Sequence, residues 1–331
     1  MARTLRIATF NLENLDDRAG ATPTLAQRIA VLRPMLTRLE ADILCLQEVN
    51  AQATGKDRPR HFRALDALLA ETPYAGYDRV ATVGRAGVGP TDVHNLIILS
   101  RSPIEASRQI WHDLVGPPAY RPVTAEPAAA AAEPVGWDRP LLAAEIDLGL
   151  DRPLHVVNLH LRAPLAAFVP GQKVGPFAWR SAAGWAEGFF LAAIKRAGQA
   201  LEARLAVDRL FDADPDALIA LAGDCNAEAR ETALRLLAAD SEDTGNGALA
   251  GRVLIPVERG VPEDRRYTVL HNGRRIMLDH LLVSRALMGW FRHVEIHNEA
   301  LGDELVAYAS VEASPESYHA PVVAEFALPD G

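Results

Sequence analysis

Cysteine is scarce: the 331-residue chain holds two, Cys45 and Cys225. Both fall in or beside strand-like runs, which reads as two buried thiols in a reduced compartment rather than a disulfide or a thiolate metal site. No apolar run approaches the ~20 residues of a membrane span. The opening MARTLRIATFNLENL has no long hydrophobic leader and turns polar by Asn11. A cytoplasmic, monomeric protein with no membrane span is the expectation. Positive charge is also in deficit, with 34 Lys and Arg against 43 Asp and Glu, a formal net charge of -9 and a pI near 5.6. That balance removes the broad positive field of a tight nonspecific DNA binder. It leaves room for a small phosphate ester, or for a nucleic acid held through a local patch and a cation. The glycine-rich VGRAGVGP (83–90) lacks the Gly-Lys-Ser/Thr ending of a phosphate loop and the spacing of a dinucleotide fingerprint, so it reads as a flexible connection. No internal repeat is visible.

What the chain has in quantity is apolar material, 49% of residues, enough for a large core. Short apolar runs that read as strands occur at 5–10, 42–48, 77–83, 94–100, 104–110, 139–148, 154–161, 217–222, 277–284, 291–297 and 321–328. The pair 94–100 and 104–110 suggests a hairpin around 101–103. Residues 24–39 have a helical rhythm through Leu25, Ile29, Leu32, Leu36 and Leu39, with Pro34 predicting a kink or two short helices. Further helices are expected near 61–71, over 185–211 and over 228–239. Residues 114–136, rich in Pro and Ala, read as an exposed loop inserted between strands of a single domain rather than as a domain boundary. Many strands with few long helices favour two stacked sheets covered by helices over a doubly wound parallel sheet.

A polar residue ends strand after strand. Asn11 follows IATF, Glu48 follows ILCLQ, Asn158 and His160 end LHVVNLH, and Asp224 and Asn226 follow IALAG. Asp279 and His280 interrupt IMLDHLLV, and His319 precedes APVVAEF. Singly, each has an ordinary explanation: a turn, a solvated acid, a satisfied histidine. Together they describe a site that handles phosphate with a metal. Glu48 and Asn11 offer the oxygen ligands that Mg²⁺ or Mn²⁺ take, and no Cys-rich or His-rich set of the kind zinc prefers is visible. Asp224 is suited to orienting a water, Asn226 and His160 to donating to phosphoryl oxygens, and Asp279 to holding and charging His319.

The motifs TFNLENL, ILCLQEV, HNLIILSRSPI, RPLLAAEI, VVNLHLRA, AGDCNAE, LDHLLVS and SYHAPVV occur in the order seen in the endonuclease/exonuclease/phosphatase superfamily, which the chain resembles from Arg6 to about Phe326. The resemblance implies a four-layer α/β/β/α sandwich and hydrolysis of a phosphoester by a metal-aided water. It implies Asn11 and Glu48 as metal-site residues and Asp224 as aligner of the attacking water. Asn226 and His160 become phosphate contacts, and Asp279 with His319 a carboxylate–imidazole pair. Arg139 is similar to a phosphate-contacting strand arginine, as its planar fork allows, and its ordinary alternative is a surface ion pair. Asn95 is a further candidate for the pocket lining. Arg196 and Gln199 resemble helix positions packed behind the site. One departure stands out: where the family usually has Asp before the last His, this chain has Tyr318. The leading expectation is a Mg²⁺- or Mn²⁺-dependent phosphodiesterase of the nuclease kind. The alternatives are a phosphomonoesterase, a phospholipid head-group hydrolase, or an inactive binding module on the same fold.

Overall fold

The computed structural model describes residues 3–53, 55, 59–85, 87–175, 178–305 and 314–329. The glycine-rich connection at 83–90 therefore includes one position, Ala86, outside the described residues. Strands form where apolar residues run almost without interruption, because both faces of each sheet are covered. In chain order they are β1 (Thr4–Leu15), β2 (Ile43–Val49), β3 (Asp78–Ala81), β4 (Asn95–Ser100), β5 (Ile104–Ile110) and β6 (Leu141–Ile146). Then come β7 (Leu154–His160), β8 (Leu218–Asp224), β9 (Ile255–Pro256), β10 (Asp279–Val283), β11 (Phe291–Ile296) and β12 (Val322–Ala327). One sheet runs β11-β12-β1-β2-β4-β3 and the other β9-β10-β8-β7-β6-β5.

Residue parity sets the layers. Leu5, Ile7, Ile43 and Cys45 point into the seam between the sheets, against Ala144, Val156, Ala220 and Leu281. Their neighbours Ala8, Phe10, Leu44 and Leu46 point outward onto α1 (Leu25–Leu39) and α2 (Arg63–Leu69). On the second sheet Val157, Leu159, Ile219 and Leu221 do the same toward α3 (Ala182–Ala213) and α4 (Thr232–Ala238). The expected four-layer α/β/β/α sandwich is the architecture found.

Two local expectations are corrected and a third gains detail. Pro34 lies inside one continuous helix, α1. Both Pro34 and Ala30, whose carbonyl loses its donor, are exposed, so water can replace the missing bond. Residues 94–110 are not a hairpin: β4 already pairs with β2 and β3, so β5 crosses to the other sheet and pairs with β6. The Pro/Ala segment is largely exposed, as expected, and is anchored on α3. Glu187 of α3 accepts from Tyr120 Oη (2.9 Å), Val123 N (2.5 Å), Thr124 N (2.8 Å) and Thr124 Oγ1 (2.5 Å). Ala125 of the segment shares a small core with Ala167, Val169 and Leu191.

One point of the seam is polar. β2 and β4 are paired at Leu46 and Ile97, and beyond that point their register breaks. There Asn158 reaches across from β7 and donates to the Leu46 carbonyl (3.0 Å) and the Ile97 carbonyl (2.8 Å). Its own oxygen accepts from Gln47 Nε2 (2.7 Å), which also donates to Thr9 Oγ1 (3.0 Å). Asn158, Gln47 and Thr9 are all fully buried. Asn158→Leu keeps the size and takes this donor from two buried carbonyls, while the Gln47 amide keeps Thr9 Oγ1 and the Cys45 carbonyl. At about 1–3 kcal/mol for each unsatisfied group, we expect a loss of roughly 2 kcal/mol or more, read as a lower urea midpoint. An unchanged midpoint would remove the clamp from the list of stabilising contacts.

His280 is also structural. It points to the side opposite its neighbour Asp279, and both ring nitrogens face acceptors: Nδ1 the Glu258 carboxylate (2.5 Å) and Nε2 the Ala227 carbonyl (2.9 Å). Two acceptors require two protons, so this imidazole is charged. Burial opposes the charge, but the charge and hydrogen bond of Glu258, with the Ala227 carbonyl and Asp279, outweigh it and raise the pKa. A raised folded value means the stabilisation is complete below about pH 6.5, the ordinary histidine value, and is lost as pH rises through the folded value. Glu258→Gln should cost about 3 kcal/mol near pH 6, with the gap to the parent closing at higher pH. Thermal melts of both proteins across pH test this, and a gap constant with pH would contradict it.

Candidate active site

Three site residues sit in one row across the second sheet. His160 at the end of β7 is in register with Asp224 at the end of β8, and Asp224 with Asp279 at the start of β10. Each shares parity with seam-facing neighbours, Val156, Ala222 and Leu281 respectively, so all three project into the seam where it opens at the sheet ends. The close approach of β7 and β8 depends on Gly223 (φ +144): a Cβ there would lie 1.9 Å from the Leu159 carbonyl oxygen. His160 Nε2 is 3.3 Å from Asp224 Oδ2 and 3.7 Å from Glu48 Oε1.

The first sheet supplies the facing wall. Asn11 shares the inward parity of Ile7 on β1. Its Nδ2 donates to Asp224 Oδ2 (3.0 Å) and Glu48 Oε1 (3.3 Å), and its Oδ1 accepts from Glu13 N (2.8 Å). As placed, Asn11 presents nitrogen to the two carboxylates, so it orients them and does not offer the oxygen ligand expected of it. Strict alternation along β2 would send Glu48 outward with Leu46. A left-handed backbone at Glu48 (φ +57) brings the carboxylate back to the cleft, where Oε2 accepts from Asn14 N (3.1 Å). Glu13, Asn14, His94 and Asn226, with φ between +47 and +59, share that backbone region.

His319 lies in the turn before β12. Ser317 Oγ ties this turn to β1 by donating to the Asn11 carbonyl (2.8 Å) and accepts from His319 N (3.1 Å). His319 Nδ1 is 2.8 Å from Asp279 Oδ2, the expected carboxylate–imidazole pair. Burial works against a charged His319, but the charge and hydrogen bond of Asp279, with Asp224 and Glu48 nearby, hold its pKa well above the usual value. Burial, then the charge of Asp279, pushes the Asp224 carboxyl up to about 7. Burial, with the positive surroundings of Arg139, His94 and His319, drives His160 well below the usual histidine range, so it is a neutral ring.

Asn226 differs from expectation. Both hydrogens of its amide are used, on the Leu161 carbonyl (3.1 Å) and Asp224 Oδ2 (3.2 Å), while its backbone N–H donates to Asp224 Oδ1 (2.8 Å). It therefore holds Asp224 in place rather than offering a free donor to phosphate. Asn95 does not line the pocket: its fully buried amide is consumed by the Val49 carbonyl and by Thr91. Arg139 is half-buried and donates to the Leu161 carbonyl (3.3 Å). Burial lowers its pKa while the charges of Glu48 and Asp224 favour its cationic form. Gln199, as expected, packs behind the site, bonded to Arg162 N and the Arg139 carbonyl, and Arg196 reaches the Arg162 carbonyl.

Two site residues escaped the sequence reading. His94, one position before Asn95, places Nδ1 3.7 Å from Glu48 Oε2. Glu13 accepts from Tyr318 N (2.8 Å), with burial pushing its carboxyl up. Its signal was present: an acid two positions after Asn11 in NLENL. Ligand atoms lie within 4.8 Å of one another in two groups, Glu48 with His94 and His160, and Asp224 with Asp279 and His319. The arrangement has carboxylates with unused lone pairs beside imidazoles and a guanidinium. It can hold a divalent cation and surround a phosphoryl group with positive charge.

Known proteins carry the same frame. An endonuclease/exonuclease/phosphatase family protein from Bacteroides thetaiotaomicron aligns over 98% of this chain and 95% of its own, at 18% identity and a TM-score of 0.58. A mannosyl-6-phosphatase of the same organism aligns over 97% and 98%, at 16% identity and a TM-score of 0.58. An AP endonuclease from Archaeoglobus fulgidus aligns over 98% and 100%, at 16% identity and a TM-score of 0.51. At these identities the structures establish the shared fold. No curated protein matches the sequence significantly. The sequence profile of the Endonuclease/Exonuclease/phosphatase family matches residues 8–310, so the chain belongs to that family.

Proposed function

We propose that this protein is a Mg²⁺- or Mn²⁺-dependent phosphoesterase that hydrolyses phosphodiesters, nuclease-like in chemistry. The observation that carries the reading is the His319–Asp279 pair (2.8 Å) in one cleft with Asp224, His160 and Glu48, five groups drawn from five separate segments. Glu48 would hold the cation, with Asn11 fixing the carboxylate. Bound there, a divalent ion supplies Lewis acidity and neutralises charge growing on the phosphate. Asp224, gripped by Asn11 and Asn226, accepts a hydrogen bond from the attacking water and sets its line of approach. The His319 imidazolium, charged by Asp279, donates to a phosphoryl or leaving oxygen. Arg139 adds a fixed positive charge. The acidic balance of the chain supports a second reading, a phosphomonoesterase acting on small substrates. A panel of plasmid DNA, RNA, bis-p-nitrophenyl phosphate, p-nitrophenyl phosphate and sphingomyelin, each with Mg²⁺, Mn²⁺ or EDTA, separates these readings from each other and from an inactive module.

Asp224→Asn and His319→Ala should each lower the cleavage rate by about 10²- to 10⁴-fold. Both variants should stay folded, because each replaces a polar strand-end group and leaves the core packing unchanged. Near-parental rates in both folded variants would refute the assignment of the chemistry. Tyr318 removes an anion from the cleft and is a poor ligand for a hard cation. Tyr318→Asp should therefore lower the metal concentration that gives half-maximal activity, and an unmoved midpoint would assign Tyr318 to shaping the cleft.

A further inference from the structure

The cation site at Glu48 contains more nitrogen than a Mg²⁺ site needs. The Glu48 carboxylate lies between two imidazoles, with His94 Nδ1 3.7 Å from Oε2 and His160 Nε2 3.7 Å from Oε1. These separations are too long for hydrogen bonds. They suit donors that share one ion with the carboxylate using both oxygens, since two ligand atoms each about 2.0–2.2 Å from a metal sit roughly 3.3–3.8 Å apart at tetrahedral to trigonal angles. The three side chains are sheltered, at 13% exposure for Glu48, 30% for His94 and 2% for His160. His94 Nδ1 is buried and has no hydrogen-bond partner among the described residues. The two rings lie 6.1 Å apart at 67° and converge without stacking. The backbone at both Glu48 and His94 is left-handed, a costly conformation for these residue types, and it is what turns both side chains into the cleft.

We propose that Glu48, His94 and His160 form a two-imidazole, one-carboxylate site that selects a first-row transition ion of the Zn²⁺, Fe²⁺ or Co²⁺ kind over Mg²⁺. Imidazole suits such ions, whereas Mg²⁺ takes oxygen ligands and keeps several waters. The inference rests on the phosphoesterase reading for the presence of a cation in this cleft, and it replaces that reading's choice of metal. The reason that no zinc-like set shows in the sequence is distance: the three ligands lie 46 and 66 positions apart in a chain with ten histidines.

The test uses the full chain, stripped with chelator and checked metal-free. Calorimetric titration with Co²⁺ and Mg²⁺ is done on the parent and on His94→Asn, which tolerates the left-handed backbone while removing the imidazole. The expected result is a loss of about 10- to 100-fold in Co²⁺ affinity, with Mg²⁺ affinity changed less than about twofold. X-ray absorption of the Zn²⁺-loaded parent should count two imidazoles, a readout that does not depend on the variant folding. Fewer than two imidazoles, or equal Co²⁺ affinity in parent and folded variant, would overturn the proposal. If those results came with Mg²⁺-driven hydrolysis, the phosphoesterase reading would stand alone. Two imidazoles with no hydrolysis of any substrate in the panel would support the metal site and defeat the phosphoesterase reading.

Discussion

The register of β2 and β4 breaks between Leu46 and Val49, and something must hold the strands where it does. Asn158 is that restraint. It sits on the other sheet, and its one amide bonds the Leu46 and Ile97 carbonyls and the Gln47 side chain. An apolar residue in its place would leave the two carbonyls without this donor in a dry seam. The clamp stands between the apolar seam and the site residues. Everything chemical lies just ahead: Glu48 one residue beyond Gln47, His160 two beyond Asn158, and Asn11 in register with Gln47.

The electrostatics follow from how little water the open end admits. Asp224 and Asp279 are neighbours in register and both buried, and the second negative charge is one reason the Asp224 carboxyl rises to about 7. The positive groups are distributed to match: His319 on Asp279, Arg139 near Glu48 and Asp224, and Arg28 near Glu13. A bound cation and a phosphate would enter a space whose charges are already fixed, the condition under which preorganised groups act most strongly. His280 shows the contrast, since it fills both of its hydrogen-bonding positions with protein and keeps nothing for a ligand.

Much of this was legible in the sequence, for identifiable reasons. Buried strands announce themselves as short apolar runs, and the polar residues that end them mark the cleft. Asn11, Glu48, His160, Asp224, Asp279 and His319 converge as the motifs implied. What failed was geometry that breaks alternation. His94 and not Asn95 faces the cleft because His94 is left-handed, and composition gives no hint of it. The turn at 101–103 looks like any hairpin turn, since local residues cannot report that both edges of β4 are occupied. The anchoring of the Pro/Ala segment was not legible because its partner, Glu187, lies some sixty positions downstream. Asn11 and Asn226 were assigned correctly to the cleft, but the way their amides point follows only from the partners around them.

The left-handed residues have a consequence for anyone who would make this protein more robust. Ten non-glycine residues among those described have positive φ, and five of them, Glu13, Asn14, Glu48, His94 and Asn226, line this one cleft. Such positions carry a penalty on the order of 1–3 kcal/mol each. Any procedure that ranks substitutions by backbone comfort will nominate Glu48 and His94 for glycine and score the exchange as an improvement. A stabilised variant chosen in that way would be the more durable protein and the poorer catalyst. Here the least comfortable stretches of backbone are the ones that aim the site's side chains.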